Sequence, residues 1–377
     1  MWLSGRLAPD FKTIANFRKD NGEAIRLVCR EFVMLCRKLN LLGDTLAIDG
    51  SKFKAVNNRD KNFTRAKMKR RLAEVEASID RYLVELDTAD RSAPPEDTRP
   101  LKNKIAALTE EMDRLKKLEV RMLEAPDQQL SLTDPDARSM RHRGSGIVGY
   151  NVQTAVDVDR HLIVAHEVTN AGSDRRQLTR MAQQAKTVTQ TNSLNVLADR
   201  GYYSGQELQS CEKNNIATYV PNSTTSPNKA KGQFDRSEFH YISGDDEYEC
   251  PAGKRAIYRF TREEKGKLIR RYWSSACTHC TMKPQCTSGK YRRISRWVHE
   301  EVIERAQARL AAKPNAMQIR RATVEHPYGT LKGWMGSTHF LTRTLDHVGT
   351  EMSLHVLAYN MKRVINLIGT KQLLEAI

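Results

Sequence analysis

Three short stretches, far apart in the chain, each offer one carboxylate in a setting suited to metal-assisted chemistry: TLAIDGSKFKA around Asp49, VLADRGYYS around Asp199 and RRATVEHPYGTLK around Glu325. The first two acids close apolar runs, Leu46-Ala47-Ile48 and Val196-Leu197-Ala198, and are soon followed by Gly50 or Gly201. Each therefore reads as the C-terminal tip of a buried strand. Glu325 lies in a charged, helix-compatible segment, with Arg321 four residues before it and Lys332 seven after. One helical face can carry Arg321 and Glu325, and nearly Lys332. Carboxylates at strand tips and on a facing helix can converge on a pair of divalent cations. Such a pair activates a water or a 3′-hydroxyl and stabilises the leaving oxygen of a phosphodiester. Taken singly, each Asp is as readily the start of a turn, and Arg321 one half of a solvated i,i+4 pair.

The elements that must position these acids follow from periodicity. Residues 1–45 are helix-rich, with Ile25, Val28, Cys29, Phe32 and Leu35 at helical spacing. Between 62 and 123 two apolar stripes, Leu72-Val75-Ile79-Tyr82-Leu86 and Leu101-Ile105-Leu108-Met112-Leu115-Met122, flank the break SAPPEDTRP, whose three prolines continue neither helix. This is a helical hairpin: an insertion packed on itself or, less simply, an arm that dimerises or braces DNA. IVGYNVQTAVDVD and HLIVAHEVT, joined at Asp159 and Arg160, form a strand pair. A helix capped by Asp174 follows, with Leu178, Met181 and Ala185 on one face. Then come the Asp199 strand, a helix from Gly205 to Asn214 and a strand from Ala217 to Val220, giving the order βββαβαβ. Asp157, Asp159 and Asp174 read as turn and cap residues. A closing helix carries Leu354, Val356, Leu357, Tyr359, Met361, Val364, Ile365 and Leu367 toward the sheet, with Asn360 and Arg363 at the catalytic end or in solvent.

Four cysteines lie between the last strand and Glu325. Cys277 and Cys280 have the C-x2-C spacing that takes two corners of a tetrahedral zinc, and Cys250 and Cys286 can supply the others, with His279 as the alternative ligand. Four reduced, partly buried thiols are the competing reading. Cys29, Cys36 and Cys211 sit on apolar helical faces as core residues. Just after the cluster, Arg292, Arg293, Arg296 and Trp297 interleave cations with an aromatic, which suits a phosphate backbone and an unstacked base. The alternative there is a solvated turn that starts a helix.

Taken together, these blocks resemble the DDE transposases of bacterial insertion sequences. The resemblance runs in order through WLSGRLAPDFKTIANFRKDN, DGSKFKA, VGYNVQTAVDVDRHLIVAHEVTNAGSDRRQL, LADRGYYSGQEL and VEHPYGTLK. It implies an α/β, ribonuclease-H-like mixed sheet (βββαβα order) interrupted by a helical hairpin over 61–125 and a cysteine-bearing, zinc-binding insertion over 222–300. The catalytic domain would then span 46–377, and residues 1–45 would be the remnant of a helical DNA-binding domain in an N-terminally short chain. By the same resemblance Asp49, Asp199 and Glu325 are the catalytic acids that hold Mg²⁺ or Mn²⁺, and Arg321 and Lys332 fit the family's Tyr-x2-Arg-x3-Glu-x6-Lys signature. Gln318 stands where that signature has Tyr.

The implied activity is DNA cleavage and strand transfer on element terminal repeats and target DNA, by a homodimer or higher multimer in the bacterial cytoplasm, acting at the nucleoid. A nuclease on the same scaffold and a decayed copy that only binds DNA are the alternatives. A formal charge of +17 and a pI near 9.6 agree with a polyanionic partner. No apolar run is long enough to span a bilayer, and the N-terminus carries no signal-peptide pattern.

Overall fold

The computed structural model describes residues 8–57, 59–91, 97–142, 144–222 and 228–377. The first residues of the opening block, part of the proline break (92–96) and residues 223–227 of the cysteine-bearing segment lie outside them.

A mixed six-stranded sheet organises the fold. Its longest strand, β5 (Ser145–Asp157), pairs along one edge with β1 (Thr45–Lys54); along the other it pairs with β4 (Arg138–His142) and then β6 (Ile163–Thr169), all antiparallel. Beyond β1, strands β7 (Leu194–Ala198) and β8 (Ile216–Tyr219) add in parallel. Parallel neighbours need crossovers: α5 (Leu178–Thr189) and α6 (Gly205–Lys213) precede β7 and β8 and return the chain to the start of each strand.

Alternation along β1 and β7 divides the sheet into two packed faces. Leu46, Ile48, Val196 and Ala198 join a core with α2 (Gly22–Lys38), α5, α6 and α7 (Glu300–Ala312). Ala47 and Leu197 point the other way, toward Ala316 and Val324 on α8 (Ala316–Gly329). Further along that face Phe53, Tyr150 and Val152 pack with Tyr328, Met352, Val356 and Tyr359, the last three from α9 (Leu345–Ala376). The α2 helix buries Ile25, Cys29, Val33 and Cys36, spaced four, four and three, whereas Val28 is half exposed. Val33 and Cys36 place α2 in the main core.

Asp49 is not at the tip of its strand. β1 continues to Lys54 because β5 keeps pairing with it to Gly149, and only the β7 partner ends at Ala198. Nor does Asp174 cap α5, which starts at Leu178; its carboxylate is drawn toward the sheet. Asn360 is another correction: it is buried, and its amide donates to and accepts from the backbone of Ile163.

Among the described residues two further units, each with its own core, lie between elements of this sheet and its helices. The first is a hairpin of α3 (Arg65–Asp90) and α4 (Arg99–Glu124), clasped at its base by the two short strands β2 (Asn62–Thr64) and β3 (Gln129–Ser131). Phe63, Met68, Val75, Leu115, Leu118 and Met122 form its own core. The second is a five-stranded antiparallel meander, β9 (His240–Ile242), β10 (Glu247–Glu249), β11 (Arg255–Glu264), β12 (Lys267–Trp273) and β13 (Ile294–Trp297), with a core of Phe239, Tyr248, Ala256, Tyr272 and Ile294. Among the described residues no helix is long and apolar enough to cross a membrane.

Candidate active site

The β1–β7 register brings two of the three acids together. Ile48 pairs with Ala198, so the next residues on two parallel neighbours are Asp49 and Asp199, on strands about 4.8 Å apart. Both have the parity of Ala47 and Leu197, so both carboxylates face α8. A third group meets them there. Arg320 of α8 places Nη2 2.5 Å from Asp49 Oδ1 and 3.7 Å from Asp199 Oδ2, with its side chain 13% exposed.

The backbone holds the acids in place. Asp49 Oδ1 accepts the Gly50 N–H at 2.8 Å, and Asp199 Oδ1 accepts the Gly201 N–H at 2.7 Å, fixing a short 3-10 turn after β7. Tyr328, buried on α8, directs its hydroxyl at the carbonyls of Val152 (2.7 Å) and Asp49 (3.1 Å) and accepts from Thr154 Oγ1 at 3.1 Å. Beneath the pair, Asp174 accepts from Asn151 Nδ2 and Gln153 Nε2, each at 2.7 Å, and from Lys52 Nζ at 3.3 Å. Gly50 leaves room for this network: a Cβ there would stand 2.2 Å from Gln153 Nε2 and 2.7 Å from Asp174 Oδ1. Burial pushes the Asp49 carboxyl up to about 6; Arg320 and the Gly50 N–H pull it back, and the charges of Asp199 and Asp174 raise it.

Glu325 does not join them. It lies five residues beyond Arg320, about 140° around the helix, and its side chain is exposed. There it borders a hollow of about 490 Å³ shared with His326, Trp334, Tyr359, Lys362 and Arg363. Among the described residues no group of three or more His, Cys, Asp or Glu is arranged to hold a metal ion. For a cation the acid pair alone is nonetheless apt, since a guanidinium already stands against both carboxylates.

The signature cations divide. Lys332 donates from Nζ to Ser51 Oγ (2.7 Å) and the Lys52 carbonyl (2.9 Å) and lies over the Phe53 ring, bracing β1 just past Asp49. Arg321 is exposed and among the described residues makes no ion pair with Glu325. The predicted strip of DNA contacts needs correcting in two places. Arg296 is 5% exposed, paired with Glu304 on α7 and set 3.6 Å over the Tyr241 ring. Trp297 is 7% exposed and packs where a Cβ on Gly205 would touch it. Both belong to β13 and, as successive strand residues, face different partners: Arg296 reaches Glu304 of α7 and Trp297 meets Gly205 of α6. Arg292 is half-buried and donates to the Phe234 carbonyl at 3.0 Å, whereas Arg293 is exposed.

Cys250, Cys277, Cys280 and Cys286 line one small cavity of about 30 Å³ beside Phe234 and Phe239. The Lys254 N–H donates to Cys250 Sγ at 3.4 Å. Burial raises the Cys286 thiol; Arg292 opposes this and the other three sulfurs add to it. The four thiols thus share a space without forming a ready set of metal ligands. Cys29, Cys36 and Cys211 are buried, as expected of core residues. Asp157 accepts the N–H groups of Gly43, Asp159 and Arg160, a turn role.

A transposase DDE domain family matches residues 120–361. The chain belongs to that family. Asp199, Arg320 and Glu325 lie within the matched region of the DDE domain, and Asp49 lies before it. Family members generally use divalent metal ions. A solved piggyBac transposase synaptic complex with hairpin DNA is similar at 7% identity and a TM-score of 0.24, over 89% of this chain and 56% of that one. The chain therefore spans little more than half of that transposase's length. No curated protein matches it.

Sequence reasoning missed Arg320. The signal was present: Ala316, Thr323, Val324, Pro327, Tyr328 and Leu331 are the buried stripe of this segment. Position 320 falls on that stripe, and positions 321 and 325 fall off it.

Proposed function

We propose that this protein is a DDE transposase that cleaves DNA at the ends of an insertion sequence and joins the freed 3′-hydroxyl to target DNA. The observation that carries this is the juxtaposition of Asp49 and Asp199, each next after the last paired position of parallel β1 and β7, against the helix that bears Glu325, in a chain of the DDE family. The strand order, with an antiparallel β6–β5–β1 set followed by parallel β7 and β8, supports the ribonuclease-H-like reading.

Asp49 and Asp199 would hold the divalent ion, Mg²⁺ or Mn²⁺; Glu325, the third acid by resemblance, would have to turn toward them. Bound there, the ion would activate the attacking hydroxyl and stabilise the leaving oxygen. The chain's own residues have separate tasks. The Gly50 and Gly201 amides orient the carboxylates, Tyr328 and Lys332 hold β1 rigid beside them, and exposed cations receive the DNA backbone. Arg321, Arg293 and Lys362 are among the exposed cations of the described residues that would do so, with Trp334, 87% exposed, as an aromatic surface beside Lys362. Two DNA ends must be brought together for joining, so the acting form would be at least a homodimer, tested by light scattering with end DNA present.

In the cysteine-bearing subdomain, four thiols on one cavity support a structural zinc, once the sulfurs close on the ion. Zinc analysis of the purified protein tests this, together with the melting temperature after chelation. Stoichiometric zinc and a lower melting temperature on its removal are expected.

The deciding experiment incubates the protein with labelled terminal-repeat DNA, a target plasmid and Mg²⁺. Cleavage with strand-transfer products is expected from wild type, and neither from Asp199→Asn, which should still bind DNA. Cutting without joining would identify a nuclease instead, and wild-type cleavage by Asp199→Asn would remove Asp199 from the chemistry.

A further inference from the structure

We propose that Arg320 is a built-in stand-in for the metal: its guanidinium holds Asp49 and Asp199 together in the metal-free protein and must leave when a divalent cation enters. This rests on the reading of the two acids as metal ligands under the proposed function.

The geometry carries the argument. A single nitrogen, Nη2, serves both carboxylates at 2.5 and 3.7 Å, so it stands where a shared cation would. Two carboxylates on neighbouring strands repel each other, and a cation between them is the simplest relief. The remainder of the arginine is not locked in. An arginine that serves as a permanent brace presents its planar fork to one carboxylate through two parallel bonds. Here the nearest approach to both acids is made by one tip nitrogen, and among the described residues the buried Nε has no hydrogen-bond partner. An unpartnered buried N–H favours release, because withdrawal lets water reach it.

The helix bearing Arg320 is also built to adjust. Pro327 sits inside α8 and cannot supply an N–H to the Thr323 carbonyl. The helix then runs into a π-turn at Thr330–Trp334, where helical register is most easily changed. Lys332, on that turn, is anchored to Ser51 and Lys52, so movement of the Arg320 end need not carry the Lys332 end with it. Arg320 acts through the acids and is a positioning residue, not a catalytic one.

The test is Mn²⁺ binding to the full chain without DNA, read from the free-Mn²⁺ electron paramagnetic resonance signal for wild type, Arg320→Gln, and each combined with Asp199→Asn. The Asp199-dependent site should bind Mn²⁺ about tenfold more tightly in Arg320→Gln than in wild type. In chelator the same variant should melt below wild type and recover when Mn²⁺ is added. Equal or weaker Mn²⁺ binding by Arg320→Gln would overturn the proposal and make Arg320 a brace of the loaded site. If Asp199→Asn removes no Mn²⁺ binding in either background, the metal reading of the acids fails instead. A second measurement leaves the wild-type fold intact: the Arg320 Nε–Hε resonance, identified by its loss in Arg320→Lys, should shift on Mg²⁺ addition. A resonance that stays put while Mg²⁺ binds would equally overturn the exchange.

Discussion

Asp49 differs from its partner in burial, and that difference has a measurable consequence. Its carboxyl is held up near 6, while the Asp199 side chain is about half exposed. Because the folded value exceeds the unfolded one, the native state binds the extra proton between roughly pH 4 and 6. Without metal, stability should therefore rise as pH falls through that window, and Asp49→Asn should lack this rise in urea titrations at several pH values. Metal binding needs the ionised form, so Mn²⁺ affinity should fall up to about tenfold per pH unit below 6, as calorimetry would show. Gly50 tests the network beneath. Gly50→Ala forces a Cβ into the Gln153 and Asp174 side chains and should cost on the order of 1–3 kcal/mol of stability. It should also weaken Mn²⁺ binding; unchanged affinity would show that Asp174 and Gln153 do not set the position of Asp49.

At the scale of elements, what could be read beforehand depended on whether local pattern or tertiary partner decides a residue's place. The runs Leu46–Ile48 and Val196–Ala198, the β5–β6 pair and both hairpin helices were legible, since apolar period alone marks them. The extent of β1 beyond Asp49 was not, because it depends on continued pairing with β5. The same holds for Arg296 and Trp297: cations beside an aromatic look alike in a DNA-binding strip and in a buried junction, until Glu304 and Gly205 are known to face them. Arg320 and Arg321 differ only in helical phase. The α3–α4 hairpin, packed on its own core, makes a clear prediction. Leu115→Ala should destabilise that element by about 2–5 kcal/mol, seen as faster hydrogen exchange confined to α3 and α4, with Mn²⁺ binding at the acid pair unchanged. Loss of binding would tie the hairpin to the site.

Over the whole molecule, 62 Lys and Arg against 45 Asp and Glu leave an excess of positive charge, which under the proposed function would meet DNA. Binding to duplex should weaken steeply with salt, each phosphate contact contributing about one unit of slope on a logarithmic plot. Removing Lys362 should lower that slope by about one. Trp334→Ala should leave the slope alone but weaken binding to DNA with unpaired bases by about 1–3 kcal/mol, measured by fluorescence anisotropy. The clasp of β2 and β3 at the root of the hairpin has a different bearing. It divides the polypeptide so that Asp49 lies upstream of the helical arm, and Asp199, Arg320 and Glu325 all lie downstream. The two portions still meet across nine paired positions of β1 and β5 and across the arm's own interior. A gene cut between Asp90 and Arg99 would thus encode two halves that recognise each other. Neither half alone would contain both carboxylates, and co-expression would switch the enzyme on by reassembly.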